Sequence, residues 1–191
     1  MDEALNEVTH WLLSASSQVG SEYMQLPVAG KKDPDYRERV YCYELYHRWR
    51  CQWLASFPYS LCGEVDKRKH TYVRGPHLDN SKPDFLVHDP GYMRNLLVME
   101  VKAAEGNEDD MAADLKKLTA FRRELLDGDG RPANYHAAYF WIYGISGQEW
   151  PCLRDKIVRK VVQAEEADLS LISCFVHERA GIPAVRLGWQ D

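Results

Sequence analysis

Positive charge is scarce in this chain: 24 Lys and Arg face 29 Asp and Glu in 191 residues, for a formal charge of -5. As an average, that balance argues against non-specific nucleic-acid binding, because phosphate is held by Lys and Arg. No uncharged apolar run approaches the ~18 residues that span a bilayer, so no membrane partner is expected. Cys42, Cys51, Cys62, Cys152 and Cys174 are odd in number, widely spaced and without a CxxC, which leaves neither a disulfide framework nor a zinc site. The start, Met1-Asp2-Glu3, is acidic where a secretory leader is basic. Together these point to a reducing, cytoplasmic setting. No GxxxxGK(S/T) or GxGxxG loop occurs, the seven histidines form no HxH, HxxxH or HExxH, and there is no GxSxG. Nucleotide-binding loops, zinc catalysis and serine hydrolysis therefore lack a candidate.

What the chain does have is enough apolar material, 45% with 12% aromatic, for one globular core. Residues 1–191 read as a single domain, with an N-terminal helical extension over 1–30, a core over about 35–145 and a C-terminal extension over 150–191. Charge is unevenly spread. Residues 31–75 carry ten bases against six acids, including Lys31-Lys32, Arg37, Arg39, Lys67-Arg68-Lys69 and Arg74, whereas residues 76–130 carry seven bases against twelve acids. Periodicity predicts helices over 2–17, 35–54, 108–126 and 153–167, and strands over 59–65, 83–88, 95–101, 137–145, 171–177 and 184–187. Asp89-Pro90-Gly91 is a turn signal joining the second and third strands as a hairpin. The order predicts an α/β fold, a mixed sheet flanked by helices. The run Tyr139-Phe140-Trp141-Ile142-Tyr143 reads as sheet core and His88 as hairpin packing.

One constellation carries chemistry. Pro83-Asp84 opens one strand, and Glu100-Val101-Lys102 closes the apolar strand Asn95-Leu96-Leu97-Val98-Met99. Side chains alternate along a strand, so Glu100 and Lys102 share a face that Leu97, Met99 and Val101 do not. If the hairpin closes around residue 92, Asp84 falls opposite Glu100, and two carboxylates meet at one sheet edge. Mg²⁺ turns that repulsion into coordination, since it takes one or two protein carboxylates and leaves other positions to water and phosphate oxygens. The expectation is a Mg²⁺ (or Mn²⁺) site held by Asp84, Glu100 and the Val101 carbonyl. Lys102 would orient the attacking water or stabilise the transition state.

Over roughly residues 35–145 this arrangement resembles the PD-(D/E)xK nuclease superfamily, which includes restriction endonucleases and Holliday-junction resolvases. The resemblance implies a restriction-endonuclease-like α-β-β-β-α-β core and metal-dependent cleavage of nucleic acid, most readily DNA. It also implies a glutamate in the helix before the sheet as a further metal ligand or water-positioning acid, which Glu44 matches better than Glu38. After the ExK strand it implies a helical Gln or Lys, a place taken by Lys117 in Lys117-Leu118-Thr119-Ala120-Phe121, with Lys116 next in line. Glu64 can join the cluster from the preceding strand, although its Gly63-Glu64-Val65-Asp66 context favours a surface turn. A catalytically inactive module of the same fold, binding nucleic acid or a protein, is the alternative. With no recognition module visible, sequence or structure specificity would come from a protein partner or from substrate shape.

Overall fold

The apolar stretch around Leu97 becomes the middle of a six-stranded sheet covered on both faces. The computed structural model describes residues 1–64, 78, 81–164 and 167–190; the basic residues Lys67, Arg68, Lys69 and Arg74 and the expected strand end at Val65 lie outside the described residues. In chain order the elements are α1 (Asp2–Ser16), α2 (Ser21–Met24), α3 (Glu38–Arg50), β1 (Ser60–Gly63), β2 (Phe85–Asp89), β3 (Arg94–Ala103), α4 (Glu108–Arg123), β4 (Ala137–Tyr143), α5 (Trp150–Ala164), a 3-10 turn (Leu169–Leu171), β5 (Ile172–His177) and β6 (Val185–Leu187). The strands lie in sequence order across the sheet. β1, β2 and β3 pair antiparallel, β3, β4 and β5 parallel, and β6 antiparallel to β5. Parallel neighbours need a crossover, and α4 and α5 supply the two. No helix among the described residues is long and apolar enough to cross a membrane.

Strand alternation sorts the apolar side chains into two cores. Leu97, Met99 and Val101, with Tyr139, Trp141 and Tyr143, pack in one cluster with Trp11 and Leu12 of α1 and Tyr41, Leu45 and Trp49 of α3. Val98, Phe140, Ile142, Cys174 and Val176 share the other with Met111, Leu115 and Leu118 of α4 and Ile157 of α5. A three-layer mixed α/β architecture results. The first core contains a polar knot. The buried Tyr41 ring stacks on Tyr143 with centroids 3.9 Å apart, while its hydroxyl accepts from Trp141 Nε1 at 2.7 Å and meets His177 Nδ1 at 2.8 Å. Burial holds His177 down to about 4, so the ring is neutral at neutral pH. Tyr41→Phe leaves both partners without that oxygen and is expected to cost about 1–3 kcal/mol. Urea unfolding at pH 7 should show a lower midpoint with an unchanged m-value.

Two helices are shorter than their sequence pattern. α3 begins at Glu38 because Asp35 is tied elsewhere: its backbone bridges Leu26, and its carboxylate accepts from Lys31 and Arg37. α4 ends at Arg123, short of Leu126, because the next residues enter a turned loop. There the Leu125 N–H donates to Asn134 Oδ1, and Gly130, at φ 76°, makes the reversal.

Candidate functional site

A bulge sets the register that matters. On the turn side, His88 pairs with Asn95 and Asp89 with Arg94. The pairing then skips Leu96, so Val87 meets Leu97 and Phe85 meets Met99. The extra residue brings Asp84, just before β2, level with Glu100; without it, Asp84 would lie level with Met99 on the opposite face. Leu96 and Leu97 consequently both enter the same core. Asp84 Oδ2 accepts from the Val101 N–H at 2.8 Å. A strand residue directs its N–H and C=O to the same edge, so the Val101 carbonyl leaves toward Asp84 as well.

Helices on both faces converge on this strand end. Glu100 is only 2% exposed and receives Lys117 Nζ on Oε1 at 2.9 Å. Lys117 also donates to Asp114 Oδ1 at 2.7 Å, one turn back along α4. Lys102 Nζ donates to Glu38 at 3.1 and 3.2 Å and pairs with Asp114 Oδ2 at 3.1 Å. The last contact is an ion pair without a hydrogen bond, since Asp114 Oδ2 is buried without a hydrogen-bond partner. The result is four carboxylates, Glu38, Asp84, Glu100 and Asp114, laced by two lysines.

Asp84, Glu100, Lys102, Lys117 and the Val101 backbone are thus brought together, and Glu44 is not. Glu44 is buried beside Arg48, whose Nε donates to it at 2.6 Å across one helical turn. Six residues from Glu38, it lies roughly 240° around the helix from that residue at 100° per residue. Val40, His47, Cys51 and Leu54, the residues that share Glu44's side of the sequence pattern, are half-buried or exposed; the buried apolar stripe is Tyr41, Cys42, Leu45 and Trp49. Glu38 continues that stripe at i-3 from Tyr41 and i-4 from Cys42, which is why it, and not Glu44, reaches Lys102. Asp114, the other member missed from sequence, likewise interrupts an apolar stripe, that of Met111, Leu115, Leu118 and Phe121. An acid on the sheet-facing stripe of a helix was the readable signal in both cases.

The electrostatics are those of a site short of positive charge. Burial pushes Glu100 well above the ordinary carboxylate range, with Asp114 and Asp84 adding to the rise and Lys117 opposing it. Asp84 is also raised, chiefly by burial, against the Val101 N–H and Lys102. Glu38 rises by burial too. Both lysines are raised: burial works against their charge, but Asp114 and Glu38 on Lys102, and Glu100 and Asp114 on Lys117, outweigh it. Carboxylates whose native values are raised bind more protons folded than unfolded, so stability falls as pH climbs from about 4.5 through those native values. The lysines stabilise fully below their ordinary value near 10.5 and lose that contribution only above it. With EDTA present, Tm is therefore expected to peak on the acid side of neutrality and decline towards pH 9, as differential scanning fluorimetry would record.

No group of three or more His, Cys, Asp or Glu side chains poised to hold a metal occurs among the described residues. Mg²⁺ does not require one, because two carboxylates, a backbone carbonyl and water suffice. The donors present fit such an ion: the buried Glu100 and half-buried Asp84 carboxylates brought level by the β2–β3 register, the Val101 carbonyl at the same edge, and a local surplus of negative charge that a dication would neutralise. No protein-family model matches the chain, and neither curated proteins nor solved structures yield a match.

Proposed function

We propose that this chain is a Mg²⁺- or Mn²⁺-dependent nuclease, acting on DNA, built on a restriction-endonuclease-like core. The observation that carries the reading is the meeting of Asp84, Glu100 and Lys102 at the C-terminal end of β3, with Lys117 from α4 on Glu100. The element order α3-β1-β2-β3-α4-β4 supports it. Asp84, Glu100 and the Val101 carbonyl would hold the ion, which when bound supplies a nucleophilic hydroxide at neutral pH and offsets charge on the scissile phosphate. Lys102 stays protonated, because Asp114 and Glu38 stabilise its charge, so it acts as a fixed cation beside developing phosphoryl charge and not as a general base. Glu38 and Asp114 aim it. Lys117 braces Glu100 and is the accessory cation for substrate phosphate.

The direct test is to incubate the protein with linear, circular, single-stranded and branched DNA, and with RNA, in Mg²⁺ or Mn²⁺. Cleavage that EDTA abolishes supports the proposal; identical behaviour of wild type and Lys102→Ala in every condition sinks it. A second reading, a binding module without turnover, is favoured by one observation: Lys117 and the Val101 N–H already engage Glu100 and Asp84. It predicts divalent binding with no cleavage. Binding itself should appear as a saturable rise in stability, about 2.7 kcal/mol at one hundred times the Kd, absent from Asp84→Asn. The acidic average charge adds that the isolated chain binds DNA weakly and draws on a protein partner or a small footprint.

A further inference from the structure

At the end of β1 the chain turns through Glu64, whose φ of 44° is the one left-handed conformation adopted by a non-glycine residue among those described. Such backbone is disfavoured for a side chain with a Cβ and persists where its surroundings impose it. Here the Glu64 N–H donates to the Asp84 carbonyl at 3.0 Å, fixing the turn against the candidate site. The side chain then spans two cations: Oε1 accepts from Arg39 Nε at 3.1 Å and Oε2 from Lys82 Nζ at 2.7 Å. Arg39 stands in the first turn of α3 beside Glu38, and Lys82 two residues before Asp84. These five residues line a cavity of about 400 Å³. A second, of about 390 Å³, also lined by Glu64 and Asp84, continues past Tyr43, Tyr46 and Phe85. Tyr43, among its lining residues, is 61% exposed.

We propose that the space between Arg39 and Lys82 is the seat of a backbone phosphate of single-stranded nucleic acid, filled in this state by the Glu64 carboxylate, with the neighbouring base stacking on Tyr43 in the adjoining groove. This rests on the nuclease reading for its proximity to Asp84. A carboxylate and a phosphate are interchangeable partners for an Arg–Lys pair, because each offers several anionic acceptors to charged donors. A base can offer its face to Tyr43 only when it has left a duplex stack, which selects a single strand or a frayed end. Glu64 accounts for an anion seat on an acidic protein: strand phosphate must displace an internal acid, so binding is weak unless a base also stacks.

The test is fluorescence anisotropy in EDTA, with the full chain, a labelled single-stranded oligonucleotide and the same sequence as duplex, over a series of KCl concentrations. Single strand should bind more tightly than duplex. Glu64→Gln, which keeps the shape and removes the competing charge, should tighten single-strand binding about two- to fivefold, the scale of one released surface ion pair. It should also steepen the salt dependence by about 0.7 in log–log slope per phosphate gained. Tyr43→Ala should weaken binding about tenfold and Tyr43→Phe hardly at all. Equal affinity for both forms, or Glu64→Gln and Tyr43→Ala indistinguishable from wild type, overturns the proposal. Parallel Mg²⁺ cleavage assays separate the two ideas. Cleavage that depends on Lys102 with unchanged Glu64→Gln binding rejects the phosphate seat alone, whereas the predicted binding pattern without divalent-dependent cleavage rejects the nuclease and leaves the groove standing.

Discussion

Lys102→Ala is expected to lower Mg²⁺-dependent phosphodiester cleavage by about 10²–10³-fold, the usual loss when one preorganised charge at a transition state is removed. The side chain is held by two carboxylates from opposite faces of the sheet, Glu38 of α3 and Asp114 of α4, and it is 15% exposed. Its removal also leaves those acids without their shared counter-charge, so metal-free stability should fall, more at pH 8 than at pH 6. Circular dichroism and melting curves at both values separate the two effects: a folded variant at pH 6, still inactive on return to Mg²⁺ at neutral pH, locates the loss in chemistry. Lys117→Ala should be milder, because Lys117 braces Glu100 and does not share Lys102's position on β3.

Glu100→Gln should produce the opposite sign in stability and a comparable loss in activity. At the proposed metal seat, loss of the Glu100 carboxylate would forfeit several kcal/mol of charge stabilisation, at least about 10²-fold in rate. Yet Glu100 is buried among acids that raise its proton affinity, so an uncharged isostere relieves repulsion while still accepting from Lys117. In EDTA the variant is expected to be more stable than wild type by about 0.5–2 kcal/mol, the range common for relieving a functional compromise. The sign follows from linkage: wild type loses stability as pH rises and Glu100 ionises in the fold, so the gap should be near zero around pH 5 and widest near pH 9. Chemical denaturation at the two extremes measures it. A structural ion pair with no function would show the reverse, destabilisation at neutral pH with no change in any activity.

Much of this geometry is legible in the sequence. The alternation in β3 separates Glu100 and Lys102 from Leu97, Met99 and Val101, and the Asp89-Pro90-Gly91 turn brings Asp84 back beside them. The bulge at Leu96 has no sequence signature of its own, and the alignment of Asp84 with Glu100 follows from pairing around residue 92, which holds on the site side of the bulge only. The phase of α3 was harder. Val40, Cys51 and Leu54 form a plausible apolar row that favours Glu44, but the large aromatics decide packing: Tyr41 and Trp49 bury completely and pull Glu38 inward with them. Asp114 hides in an acidic run whose other members, Glu108, Asp109 and Asp110, begin α4, where acid suits a helix N-terminus. Glu64 reads as a surface turn, and it is one; its hold on Arg39 and Lys82 depends on residues far apart in sequence and could not be seen from spacing.

Whether Asp84 and Glu100 form a divalent metal seat is read most directly, and without knowing the substrate, from an anomalous difference map of crystals soaked in Mn²⁺. The expected result is a peak about 2.0–2.2 Å from a carboxylate oxygen of each residue and within coordinating distance of the Val101 carbonyl, lost in Asp84→Asn. No peak at that edge, with Lys117 still seated on Glu100 and the Val101 N–H still on Asp84, would contradict it.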